Sequence, residues 1–171
     1  MKTFVLLISL ALAAVAQTTP NAGNRWFATT GDASLNSAGM TATIQQPASN
    51  ASQVVLDQIV VYCSVACNVT QAANGSAATA TAGTVTPILP AAANAVVPIT
   101  FWTASNVGAG TAQGGIVHLG AAATQTFCLS RSCGNPGDVT LGSGAGAVAN
   151  YSVTISTITG TANVTFYGHT L

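Results

Sequence analysis

Few side chains in this 171-residue sequence can move a proton, hold a metal or attack a carbonyl. There are two histidines (His118, His169), three aspartates (Asp32, Asp57, Asp138), two arginines (Arg25, Arg131), one lysine (Lys2), four cysteines and no glutamate. A serine hydrolase needs a nucleophile, a base and an orienting acid. Thirteen serines supply nucleophiles on paper, but no Gly-x-Ser-x-Gly elbow occurs. Gly142-Ser143-Gly144 lies in a glycine-rich run without the strand-turn-helix frame that an elbow requires. That run also lacks the Gly-Lys-Ser/Thr ending of a phosphate cradle. A glycosidase needs two carboxyl groups in one cleft. Asp57 interrupts an apolar run and is expected to face solvent, and Asp138, after Asn135-Pro136-Gly137, reads as turn chemistry. No enzymatic activity and no cofactor are expected. An enzyme would reveal itself by His118 or His169 lying beside an Asp and a Ser in one pocket.

The cysteines form two local groups, Cys63/Cys67 and Cys128/Cys133. Neither spacing is the two-residue gap of redox or zinc-knuckle motifs, so oxidised pairs are expected. In a straight strand Cys63 and Cys67 would lie about 13 Å apart at ~3.3 Å per residue. A disulfide needs Cα atoms within about 7 Å. Pairing 63–67 therefore requires a tight loop through Ser64-Val65-Ala66, whereas 128–133 closes easily beside the turn at 134–137. These two local bonds are favoured, with cross-pairing between the segments as the alternative. Loops this small stabilise at the lower end of the ~2–4 kcal/mol usual for disulfides and chiefly fix shape.

Binding chemistry is easier to place. Trp26, Phe27, Tyr62, Phe101, Trp102, Tyr151, Phe166 and Tyr167 include adjacent pairs, of which one member should face the core and the other outward. An outward Trp26 or Trp102 could stack on a sugar ring, although a buried core accounts for most of these residues. Thr-x-Thr elements at 41–43, 79–81, 84–86 and 124–126 place hydroxyls on one strand face. They would suit ice or a polysaccharide, and ordinary solvent-facing strands produce them too. Asn-x-Ser/Thr sequons occur at Asn50, Asn68, Asn74, Asn150 and Asn163.

The elements that must position these residues are strands. Val54 to Tyr62 is a β-branched run, and Asn74-Gly75 is a strong hairpin signal. The spacing predicts one long hairpin, 53–71 with 77–89, and a second, 151–156 with 162–167, turning near Thr159-Gly160. Weaker strands are expected at 25–30, 40–46, 98–105, 113–119 and 124–130. Ala91–Ala93 and Ala121–Ala123 are too short to hold a helix and read as loop or strand edge. About eight or nine antiparallel strands with no helix predict an all-β sandwich, with the jelly roll as a candidate form, as a single domain over 25–171. There is no fixed repeat, and the aromatic girdles of an outer-membrane barrel are missing.

Residues 1–16 read as a signal peptide: Lys2, the apolar run Phe4–Ala14, then Ala14-Val15-Ala16 before cleavage at Gln17. The apolar run is too short to span a bilayer, and nothing later is longer. Gln17–Asn24 forms an extended N-terminal segment able to add to a neighbour's sheet edge. The mature chain keeps two arginines against three aspartates, a formal charge of −1. That excludes nucleic acid as a partner, because no cationic surface displaces counterions from phosphate. It favours association of the chain with itself, as oligomer or filament. The sequence therefore predicts a secreted structural or adhesive surface component without catalysis. A small carbohydrate-binding module for extracellular polysaccharide is the alternative, and an ice-binding surface stands third.

Overall fold

The computed structural model describes residues 25–35, 39–46, 53–74, 81–83, 85–87, 100–104, 110–142, 146–157 and 159–171, with backbone alone for 81–83, 85–87 and 100–104. The signal peptide, the segment 17–24, Asn50 and Ala91–Ala93 lie outside the described residues.

Among the described residues, fourteen strands build two antiparallel sheets packed face to face. The first sheet holds β1 (Arg25–Thr29), β2 (Ala33–Ser34), β4 (Val54–Cys63), β7 (Val85–Pro87), β11 (Ala123–Cys128), β12 (Val139–Leu141) and β14 (Thr161–Thr170). Its order is β11-β4-β14-β1-β7, with β12 beside β4 and β2 beside β14. The second holds β3 (Met40–Gln45), β5 (Cys67–Ala73), β6 (Thr81–Gly83), β8 (Thr100–Ala104), β9 (Thr111–Ala112), β10 (Val117–Leu119) and β13 (Asn150–Ser156). It runs β10-β5-β13-β3-β8-β6, with β9 beside β5. Eight strands have five residues or more, as the apolar alternation predicts, and the other six have two or three.

Alternation also sets the core. On β14, Ala162, Val164 and Phe166 are buried while Thr161, Asn163, Thr165 and Tyr167 are not. From the second sheet Ala42, Ile44, Val69, Val153 and Ile155 meet them, each large aliphatic contributing roughly 1.5–3 kcal/mol by leaving water. Trp26 is fully buried in this core, which corrects its expected role as an outward stacking platform. The reason is a glycine opposite it: Trp26 pairs with Gly168, where a Cβ would collide with the indole and with the Val55 carbonyl. Its neighbour Phe27 faces outward instead, 6.2 Å centroid to centroid from the outward Tyr167. Trp102 lies on β8 opposite Thr43 and Ala82, and its side chain lies outside the described residues.

Both predicted hairpins are corrected. The run 53–71 breaks at Ser64-Val65-Ala66, where the chain leaves the first sheet for the second. The Cys63–Cys67 disulfide closes that corner with Cα atoms 6.5 Å apart. Among the described residues β5 pairs with β13, β10 and β9, and β6 pairs with β8. Likewise β13 and β14 lie in different sheets, joined by a crossover at Gly160, which takes a φ of 96° against Ser64 and Val65. Period-two patterning and turn residues mark where strands end but not which sheet each joins. The hydroxyls of 41–43 also depart from expectation. Thr41 and Thr43 are buried and bond across the sheet to Thr154 and Ser152, at 2.9 Å each, rather than facing solvent. Thr124 and Thr126 are exposed, and the side chains of 79–81 and 84–86 lie outside the described residues.

Candidate functional site

Asp57 sits at a β-bulge. On one side of β4 the ladder to β14 steps from Gln58–Tyr167 to Leu56–Gly168, skipping Asp57. On the other, β11 ends at Cys128 opposite Gln58, and β12 begins at Val139 opposite Leu56. An extra residue re-aims side chains, so the inward set changes from Val54 and Leu56 to Ile59, Val61 and Cys63. The freed Asp57 carbonyl accepts the Leu129 N–H at 2.9 Å.

The Asp57 carboxylate does not face open solvent, which corrects the sequence reading. Its side chain is 18% exposed. His169 Nδ1 lies 3.0 and 3.1 Å from its two oxygens, and the hydroxyls of Ser130 and Ser132 lie 2.9 and 3.1 Å from Oδ1. Burial pushes this carboxyl up, but the hydrogen bond and charge of His169, with the two hydroxyls, outweigh it and hold it below the usual carboxylate range. The serines arrive on a loop of defined shape. The Cys128–Cys133 disulfide spans 5.6 Å between Cα atoms around a single 3-10 turn, Arg131–Cys133. Asp138 accepts the Arg131 N–H at 2.8 Å, the turn role its sequence context predicts, and the Asn135 side-chain amide donates to the Cys128 carbonyl at 3.1 Å. A cavity of about 240 Å³ opens beside the cluster, lined by Arg25, Asp57, Gln58, Ser132 and Tyr167 among others.

A histidine, an aspartate and a serine therefore do converge beside a pocket. Their connectivity differs from that of a nucleophilic triad, which places the carboxylate on one imidazole nitrogen and the hydroxyl on the other. Here both hydroxyls sit on the carboxylate. The Ser130 and Ser132 oxygens are also 2.6 Å apart, and each carries one proton, so this chain of hydroxyls ends on Asp57 rather than on His169. His118 is placed apart from all of this, exposed, with Nδ1 2.6 Å from the Asn68 amide oxygen across the β5–β10 ladder. Among the described residues no three His, Cys, Asp or Glu side chains gather.

A larger recess lies elsewhere and contains no charged group. It is a cleft of about 400 Å³ between the sheets, at the edge where β11 and β5 face each other. Phe127, Leu129 and Val139 line it from the first sheet's side, and Gln71, Gln113 and Tyr151 from the second's. The Tyr151 hydroxyl donates to Gln71 Oε1 at 2.9 Å, and burial pushes that phenol up to about 12. The sequence reading missed Gln71, Gln113 and Phe127. One signal was available: Gln71 shares strand parity with Val69 and Ala73, so it is a polar residue on a core-facing position.

No family model, no curated protein and no solved structure matches the chain.

Proposed function

We propose that this protein is an extracellular, non-enzymatic β-sandwich, a structural or adhesive surface component that assembles with copies of itself through the open edge of β11. The observation that carries this reading is the contrast among sheet edges. The edge strands β2, β9, β10 and β12, whose ends are all described, have two or three residues each, whereas β11 has six. Its outer side pairs with no described strand, and its sequence, ATQTFC, contains no charge and no proline. Natural sheets blunt such edges with Lys, Pro, bulges or shortness. The near-neutral mature chain adds little electrostatic repulsion between copies. The leader-like residues 1–16 and the two disulfides support export to an oxidising compartment. Two runs of long strands that alternate between the sheets, β3, β4, β5 and β11, β13, β14, with β8 between them in the same sheet as β5, support the jelly-roll form of the sandwich.

Light scattering coupled to size exclusion, on mature chain loaded dilute and concentrated, tests the assembly. The expected result is a mass that rises with loading, and a T124K/T126K double variant that stays monomeric. Monomer at every loading refutes the proposal. The meeting of His169, Asp57 and Ser132 beside a cavity favours a hydrolase centre as second reading. A fluorophosphonate probe decides between them, since covalent labelling of Ser132 requires the hydroxyl to be activated. No labelling is expected.

A further inference from the structure

The 400 Å³ cleft has an asymmetry that no part of the assembly reading uses. Its size falls among small-molecule sites, which run from about 300 to 1,000 Å³. One wall offers an aromatic face, with Leu129 and Val139 beside it and Thr126 and Asn135 also in the lining: the half-buried Phe127 ring is paired opposite Ile59 and therefore turned inward. The other wall is polar. Gln71 sits on a core-facing position opposite Val153, where the Tyr151 hydroxyl takes up its Oε1. That bond fixes the amide, and Nε2, with two protons, has no partner among the described residues. Gln113 is arranged in the opposite sense, since its Nε2 donates to the Thr111 carbonyl at 3.3 Å. Its Oε1 is then an acceptor without a partner among the described residues. The cleft thus offers a donor and an acceptor on one side and an aromatic face on the other.

We propose that this cleft binds a neutral pyranose unit, its C–H face on Phe127 and its hydroxyl rim between the Gln71 and Gln113 amides. A charged ligand would lose its hydration with no counter-charge in the lining to replace it. A wholly apolar ligand would cover both amides and leave them unsatisfied. A neutral polyhydroxylated ring avoids both costs, because each hydroxyl donates and accepts while the ring carbons remain apolar. The site uses side chains of the two inner faces, whereas assembly uses the backbone edge of β11, so either can fail without the other.

The test is titration of the mature protein, followed by amide chemical shifts, with cellohexaose, chitohexaose, xylohexaose, maltohexaose and, as the charged comparator, a galacturonate hexamer. At least one neutral glycan is expected to saturate, shifting the amides of residues 71, 113 and 127, with intermolecular Overhauser contacts from sugar ring protons to the Phe127 ring. Gln71→Met, which keeps the volume and removes the donor together with the Tyr151 acceptor, should weaken that binding about tenfold or more, the scale of one lost hydrogen bond. Tyr167→Ala, on the outer face, should leave it unchanged. The proposal is overturned if none of the four neutral glycans saturates, if the galacturonate binds as tightly as the best of them, or if Gln71→Met binds like the parent. The Overhauser contacts are read on unaltered protein, so sugar contacts elsewhere than Phe127 overturn it even if a variant fails to fold.

Discussion

The loop closed by Cys128–Cys133 has two faces, and they have been put to opposite uses. Ser130 and Ser132 turn towards Asp57 and His169, while Leu129, with Asn135 just past the loop, lines the cleft that contains Gln71 and Phe127. On the first face the carboxylate is engaged by the chain itself: it takes a histidine and two hydroxyls, and it is held below its ordinary pKa. On the second face nothing ionises near neutral pH, and amide capacity on Gln71 and Gln113 is left over. The difference teaches how a chain with six charged side chains divides its labour. Asp57 and His169 tie β4 to β14, and the cleft is lined without charge.

Removing the clasp should have the largest effect. Asp57→Ala removes the acceptor of His169 and of the Ser130–Ser132 hydroxyl pair, and it should lower unfolding free energy by about 3 kcal/mol, in the range for breaking a partly buried charged hydrogen-bond group. Urea unfolding measures this, and glycan titration of the folded variant should still show the cleft. A cost below about 0.5 kcal/mol, the level of an ordinary surface substitution, would dissolve the distinction between the faces. Replacing Cys128 and Cys133 with Ser should cost about 2 kcal/mol, towards the lower end for disulfides because the loop is short. Both faces share this loop, so here stability and glycan affinity should fall together.

Acid should act on the first face alone. The folded carboxyl of Asp57 titrates below its unfolded value of about 3.9, so its contribution is complete above that value and drains away as pH falls through the lower folded one. Urea midpoints measured from pH 6 to pH 2 should drop more steeply in the parent than in Asp57→Asn. The smallest effect on stability belongs to the cleft: Gln71→Met should cost about 1 kcal/mol, because the buried Tyr151 hydroxyl loses its Oε1 acceptor while the spare Nε2 donor serves no partner within the fold.

The all-β class, the two local disulfides and the long strands were legible because each depends on local pattern: alternation, β-branching and short cysteine spacing. The pairing of β13 with β3 and β5, rather than with β14, was not, because sheet membership is decided by contacts far apart in the chain. Trp26 was placed in its pair correctly as one of two opposite faces, and Gly168, 142 residues away in sequence, decided which. Asp57 was misjudged because a bulge shifts the inward set midway along β4, and the apolar residues VVL and IVVY read equally well in either parity. A carboxylate within a long apolar run on a central strand was the warning. Nothing local linked it to Ser130, Ser132 or His169, which come from two other parts of the fold.

The exchange of backbone amides in β11, followed by mass spectrometry or NMR as protein concentration rises, reads the open edge without disturbing it. If copies join there, amides on the outer side of residues 123–128 slow with concentration while those of the short edges β10 and β12 keep their rates. Exchange in β11 that stays independent of concentration, above all in samples where light scattering detects assembly, would contradict the account.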